Sequence, residues 1–287
     1  ILKAFDAILE DGDPECIIVN PGTDRYLGEE YFKRFKNLKI VGTPSTGVNH
    51  IDVPYLNGRG VSVKCLLDDR GALDNIHASA EFTWIHIMNL VRKFNIAIDN
   101  KDKWRSRENE LFLRSNELHQ KRLAIIGVGR IGKKIIKYAK AFGMDVYWYD
   151  PYVSDNGDQV FLGTKKVDSI RELKDCDIVS INCYLTHETN KLITYGVFDD
   201  FKHGLGVVNT SRGEVVDEEY IYELIIKGKI RYSTDVLSSE QDLDGLHQSK
   251  LFNLKHDNLI ITPHVAGATK ESQTKALVSI LGLCKSV

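Results

Sequence analysis

The sequence predicts an α/β protein, with a doubly wound parallel sheet preceded by a smaller α/β domain. Three observations predict it. Short runs of Val, Ile, Leu and aromatic residues recur from about residue 122 onward, stretches of helical periodicity separate them, and a shorter version of the same alternation fills the first part of the chain. A strand–helix–strand rhythm repeated in this way lays parallel strands side by side and covers both faces of the sheet with helices.

In the larger part the strand candidates are Arg122–Gly127, Asp145–Asp150, Asp177–Ile181, Leu205–Asn209, Ile230–Val236 and Asn258–Thr262. Between the first two, Ile131, Ile135, Ala139 and Phe142 recur at the spacing of one helix face. Between the fourth and fifth, DEEYIYELIIKGK opens with acids and closes with lysines, the polarity that the helix dipole favours. Earlier in the chain, CIIVN, LKIVGT and VSVKCL read as strands, with YLGEEYFKRF as a helix between the first pair. Ala78–Arg92 reads as one helix with Ala80, Trp84, Ile87, Met88 and Val91 on its apolar side, and the charged KDKWRSRENELFLRSNEL after it reads as a connection. The boundary between the two parts falls near residue 75.

Composition narrows the function classes. A chain of 287 residues is long enough for two cores, and 43% hydrophobic with 27% charged residues excludes a disordered or fibrous protein. Because 38 basic residues face 40 acidic ones with no long block of either sign, the positive field of a nucleic-acid binder is missing. Lys33, Arg34, Lys36 and Lys39 then read as a solvated helix face and the turn after it. No apolar run reaches membrane-spanning length, and the opening ILKAFDAILEDGD, amphipathic with Asp6 and Glu10, is unlike a signal peptide. Cys16, Cys65, Cys176, Cys183 and Cys284 form no C-x-x-C pair and are odd in number, which points to reduced thiols, no metal site and a cytoplasmic protein.

After the strand RLAIIG comes Gly127-Val128-Gly129-Arg130-Ile131-Gly132, and then a helix. At a strand-to-helix turn each glycine has a mechanical reason. Gly127 permits the tight turn, Gly129 removes the side chain that would block a pyrophosphate, and Gly132 lets the helix pack close to the sheet. The phosphates then meet the helix N-terminus. Asp150 stands at the end of the next strand, where a carboxylate accepts hydrogen bonds from ribose hydroxyls and repels an added 2′-phosphate. A Rossmann domain that takes NAD rather than NADP is therefore expected.

Three further strand ends each deliver one polar group: Arg212 in VVNTSRGEVVD, Glu240 in YSTDVLSSE and His264 in LIITPHVAGAT. Loops at the carboxyl ends of a doubly wound sheet converge on the ligand crevice, so the three can meet. A guanidinium matches a carboxylate with two parallel bonds, an imidazole exchanges a hydroxyl proton near neutral pH, and a neighbouring carboxylate fixes the imidazole's tautomer. His50 and His187 lack such partners and read as structural.

These motifs, together with GVNHID at 47–52, ASAEF at 78–82, Asp235-Val236 and TPHVAGAT at 262–269, resemble the D-2-hydroxyacid dehydrogenases over nearly the whole chain, from about residue 16 to 276. The resemblance implies hydride transfer between NAD(H) and the second carbon of a small 2-hydroxy or 2-oxo acid. It implies His264 as acid/base, Glu240 as its orienting partner and Arg212 as binder of substrate carboxylate and carbonyl. Asp235 would hold the nicotinamide carboxamide. Thr210 would join Gly127, Gly129, Arg130, Ile131, Gly132 and Asp150 at the cofactor, and the backbone around Thr46 and Gly47 would hold the substrate carboxylate. It also implies a homodimer built on the Ala78–Arg92 region. The domains become a flavodoxin-like substrate domain, 1–75 with 265–287 returning toward it, and an NAD-binding Rossmann domain, 76–264.

Several positions depart from the family pattern. Gln241 and Tyr184 stand where prolines are usual. Members usually begin with one more strand and end with a helix returning to the first domain, whereas this chain opens on a helical pattern and stops at LCKSV. Phosphoglycerate-type members carry an arginine where Asn20 or Pro21 stands, and Arg25 nearby is not counted as its substitute, so an unphosphorylated acid such as hydroxypyruvate or glyoxylate is preferred. Two other readings keep the fold: an NAD(H)-sensing binding protein like the family's corepressors, and a phosphite- or formate-type dehydrogenase.

Overall fold

The computed structural model describes residues 12–22, 26–104, 106–240 and 243–285. The expectations for the opening segment through Asp6 and Glu10, for Arg25 and for Gln241 lie outside the described residues. The chain divides into two compact units, Ile1–Ala78 with Gly267–Val287, and Ser79–Ala266.

In the first unit β1 (Cys16–Ile18), α1 (Glu29–Phe32), β2 (Ile40–Gly42), α2 (Val53–Gly58), β3 (Ser62–Lys64) and α3 (Arg70–Asp74) follow in order. The strands pair in parallel in the order β1-β2-β3. Asp52 starts α2 by accepting the Tyr55 amide at 3.0 Å, and a proline follows at the position where its missing N–H costs nothing. One core gathers Ile17, Phe32, Phe35, Val41, Leu56 and Val61 between the sheet, α1 and α2.

The second unit opens with α4 (Ala78–Arg92), α5 (Phe94–Asp99) and α6 (Arg107–Leu113), so the run expected as a connection contains one short helix, α6, and another, α5, stands just before it. Neither shows a buried stripe, because their apolar residues are exposed rather than packed on a core: Ile98, Leu111 and Phe112 are all open to solvent. There follow β4 (Arg122–Ile126), α7 (Arg130–Ala141), β5 (Asp145–Tyr149), β6 (Lys165–Lys166), β7 (Ile178–Ile181), β8 (Leu205–Asn209), α8 (Glu218–Ile226), β9 (Ile230–Thr234), α9 (Leu243–Gln248), α10 (Lys250–Asn253) and β10 (Leu259–Ile261). All pair in parallel in the order β10-β9-β8-β7-β4-β5-β6. Six of these strands are the expected ones. The seventh, β6, is a two-residue edge of exposed lysines, which carries no apolar signal and protects the sheet from further pairing.

The alternation along β4 explains the two faces. Leu123 and Ile125 pack with Ala80, Trp84, Ile87, Ile135 and Ile136 of α4 and α7, while Ala124 and Ile126 pack on the other face with Val207, Val215, Ile221 and Ile225. Both faces are dry, so the strands read as continuous hydrophobic runs.

The chain closes with α11 (Lys270–Lys285), which belongs to the first unit. The last described helix thus packs with the first unit. Ala276 and Ile280 join Leu66, Leu73 and Ile76 in a second core, on the sheet face opposite α1 and α2. The helix lies so close to β2 that a Cβ on Gly42 would stand 2.6 Å from Ile280 Cγ2.

Candidate active site

The order of strands reverses between β4 and β7, and in such sheets ligands bind beyond the carboxyl ends at that point. There the chain leaves β4 through Gly127, whose φ of +87° suits only glycine, and a Cβ on it would press on the Cys183 amide at 2.8 Å, just past β7. A Cβ on Gly132 would collide with the Gly127 carbonyl oxygen, so α7 needs glycine there to start so near the strand. Beside Gly129 the position of a Cβ meets no protein atom within 4 Å. That open notch, at a helix N-terminus with no side-chain cap, fits a pyrophosphate, with Arg130 and Ile131 opening the helix. Asp150 ties the turn to β5, since its carboxylate accepts the Val128 amide at 3.0 Å and the Tyr152 amide at 2.9 Å.

Past β8, Asn209 shapes the next loop. Its Oδ1 accepts the Ser211 amide at 3.1 Å and its Nδ2 donates to the Arg212 carbonyl oxygen at 2.9 Å. Thr210 is buried against α4, its Oγ1 2.6 Å from that of Thr83. Arg212 donates from Nη1 to the Ser211 carbonyl oxygen at 2.7 Å, an interaction within its own loop. Gly213 brings that loop against the backbone of Leu237 and Ser238, where a Cβ would clash.

Past β9 and β10, Asp235 and Glu240 organise the segment that carries His264. Asp235 is 1% exposed. Its Oδ1 accepts the Thr262 hydroxyl at 2.5 Å and the Val265 amide at 3.1 Å, and its Oδ2 accepts the Ala266 amide at 2.7 Å. Glu240 accepts the Leu237 amide at 3.1 Å through Oε2 and stands 2.7 Å from Nδ1 of His264 through Oε1. The hydrogen bond to Glu240 raises the His264 pKa above the ordinary histidine value, against burial and the Arg212 charge. With Nδ1–H held by a carboxylate, Nε2 is the nitrogen left to give or take a proton.

The structure thus gathers Arg212, Asp235, Glu240 and His264 within the second unit, with the glycine turn and Asp150 beyond β4 and β5. Thr46 and Gly47 lie in the first unit, in the loop after β2, where the Ser45 hydroxyl donates to the Gly47 carbonyl oxygen at 2.5 Å. His50 lies near Thr43, its Nε2 3.1 Å from the hydroxyl, and burial lowers its pKa. Asn209, Thr83 and Thr262 went unassigned in the sequence, although Asn209 and Thr262 stand inside motifs singled out there. Among the described residues no cluster of His, Cys, Asp or Glu has the makings of a metal site, and no helix is long and apolar enough to cross a membrane.

A strand, a glycine turn and an uncapped helix at the switch point of a doubly wound sheet define a dinucleotide-binding protein. Residues 84–266 match the family model "D-isomer specific 2-hydroxyacid dehydrogenase, NAD binding domain". The chain belongs to the D-isomer specific 2-hydroxyacid dehydrogenases, and the cofactor of its second unit is NAD. It is 34% identical to a D-3-phosphoglycerate dehydrogenase of Archaeoglobus fulgidus over 90% of this chain and 46% of that protein. It is 30% identical to a hydroxypyruvate reductase of Thermotoga maritima, over 86% of this chain and 76% of that one. A solved structure of D-lactate dehydrogenase from Aquifex aeolicus, complexed with NAD and lactic acid, superposes with a TM-score of 0.74 at 28% identity, covering 95% of this chain and 82% of that one. The chain spans about half the length of the first curated relatives it matches.

Proposed function

We propose that this protein is an NAD-dependent oxidoreductase acting at the second carbon of a small 2-hydroxy or 2-oxo acid. The observation that carries the reading is the 2.7 Å contact between Glu240 and His264, held in a loop that Asp235 clamps. NAD supplies the hydride acceptor when bound, and NADH the donor. His264 gives its Nε2 proton to the carbonyl oxygen during reduction and takes it back during oxidation. Glu240 holds the imidazole in the tautomer this requires and stabilises its charged form. Arg212, with its carboxylate-matching fork, orients the substrate. Asp235 retains acceptor capacity at Oδ2 for the nicotinamide carboxamide, and Asp150 receives the adenosine ribose.

The substrate preference is for an unphosphorylated acid. Asn20 or Pro21 stands where phosphoglycerate-type members carry an arginine, and relatives named for hydroxypyruvate and glyoxylate reduction are 30% and 32% identical to this chain. Five free cysteines fit a reducing cytoplasm. The exposed Ile85, Phe94, Ile98, Leu111 and Phe112 on α4, α5 and α6 fit the face of a homodimer. The test is NADH consumption with a panel of 2-oxo acids. Turnover of hydroxypyruvate or glyoxylate by the wild type, lost in His264→Asn, supports the reading, and no turnover of any member of the panel rejects it.

A further inference from the structure

Helix α4 packs apolar residues against the sheet, yet one of its most enclosed positions is a histidine. His86 is 2% exposed, with the Phe82 ring 5.0 Å away. A buried imidazole needs both nitrogens satisfied, and here both are. Nδ1 lies 2.6 Å from the Ser233 hydroxyl on β9, and Nε2 lies 3.1 Å from the Thr262 hydroxyl, just past β10.

The direction of each bond follows from the acceptor at the end of the chain. The Asp235 carboxylate only accepts, so the Thr262 hydroxyl, 2.5 Å from Oδ1, spends its single proton there. Thr262 Oγ1 therefore accepts from His86, and Nε2 carries the hydrogen. Burial pushes the His86 pKa below the ordinary value, partly offset by the Asp235 charge, so the ring is neutral and Nδ1 accepts from Ser233. The order is Ser233 to His86, His86 to Thr262, Thr262 to Asp235.

We propose that His86 is a positioning residue for catalysis: by donating to Thr262 it aims that hydroxyl at Asp235 and so fixes the loop that presents His264. The loop is held on both sides of His264, by Thr262 before it and by the Val265 and Ala266 amides after it, all on one carboxylate. His264 itself sits at a φ of +52°, a left-handed conformation that a side-chain-bearing residue keeps only where its surroundings enforce it. The Thr262 hydroxyl has a competing acceptor, the Thr234 carbonyl oxygen at 3.5 Å. Without the donor at position 86 it turns toward that oxygen, Asp235 loses a charge-assisted bond, and the contact of His264 with Glu240 loosens.

The inference rests on His264 being the proton donor, and the test separates the two. His86→Leu fills the space without a donor, whereas His86→Gln places an amide N–H near the position of Nε2. Nitrogen-15 NMR of the cofactor-free proteins reads the His264 titration and the His86 tautomer, and steady-state kinetics read kcat and KM. The expected result is a neutral His86 protonated at Nε2 in the wild type across about pH 6 to 8. In the Leu variant the His264 pKa should return toward the ordinary value and kcat should fall on the order of tenfold, with the 2-oxo acid KM nearly unchanged and recovery in the Gln variant. A His86 protonated at Nδ1 overturns the proposal, and so does a Leu variant with unshifted His264 and wild-type kcat. Equal loss in Leu and Gln variants assigns His86 to folding alone and also overturns it. If the Leu variant does not fold, the wild-type tautomer and the Gln kinetics decide. A wild type that reduces no 2-oxo acid rejects the catalytic reading, while the cofactor-free spectra still report on the relay.

Discussion

Nδ1 of His264 lies 2.7 Å from Oε1 of Glu240, and the two residues are 24 positions apart on loops that leave different strands. Their contact raises the His264 pKa, so the histidine keeps its proton to higher pH than an isolated imidazole.

Glu240→Gln keeps the shape and removes the charge. The alkaline fall in kcat/KM for reduction should move to lower pH, and the acid limb for oxidation, which needs neutral imidazole, should move the same way, with kcat lower by on the order of 100-fold. The wild type should also be favoured over the variant in thermal unfolding below the ordinary histidine pKa, an advantage lost as pH rises through the raised value. Profiles of both reaction directions and melts at several pH values measure this, and limbs that stay in place would separate Glu240 from His264 in the working protein.

Among the described residues Arg212 donates only within its own loop, which leaves most of its fork for a ligand. Arg212→Lys keeps the charge and loses the planar pair of donors, so kcat/KM for a 2-oxo acid should fall roughly 10- to 100-fold with NADH affinity nearly unchanged. Near-normal turnover would reassign Arg212 to holding its loop.

Asp150 has a structural and a selective task in one carboxylate. NADH should be used far better than NADPH, and Asp150→Ser beside an introduced arginine should narrow the gap. Because Asp150 also accepts the Val128 and Tyr152 amides, the same change should cost about 1 kcal/mol or more of stability. Equal kcat/KM for both cofactors in the wild type counts against the assignment.

The apolar residues left exposed on α4 and α5 should meet a second copy. Light scattering should give twice the 32.5 kDa chain mass, and Ile85→Glu with Phe94→Ser should yield monomer with its helix content intact. A wild type that is monomeric at micromolar concentration rules the dimer out.

Much of the second unit was legible because its signals are local. The run Leu123 to Ile126, the glycines at 127, 129 and 132, and the spacing of Ile135 and Ala139 describe one strand, one turn and one helix within about twenty residues, each by its own periodicity. Asp150 was legible for the same reason, as the polar residue at the end of the next apolar run. The edge strand β6 was not, since two exposed lysines have no pattern to show, and α5 and α6 were masked because their apolar residues face outward rather than along a buried stripe.

Periodicity reports that a face will be covered but not by what. From sequence, Arg212, Glu240 and His264 were three polar residues at three strand ends, α4 was an amphipathic helix, and the last residues were expected to return toward the first domain with no contact named. The distance between Glu240 and His264, the clamp of Asp235 on the loop around His264, the closing of His86 against Ser233 and Thr262, and the return of α11 onto Gly42 all depend on how parallel strands far apart in the chain are ordered. That order follows from packing two dry faces at once, a long-range condition that no single stretch of residues encodes.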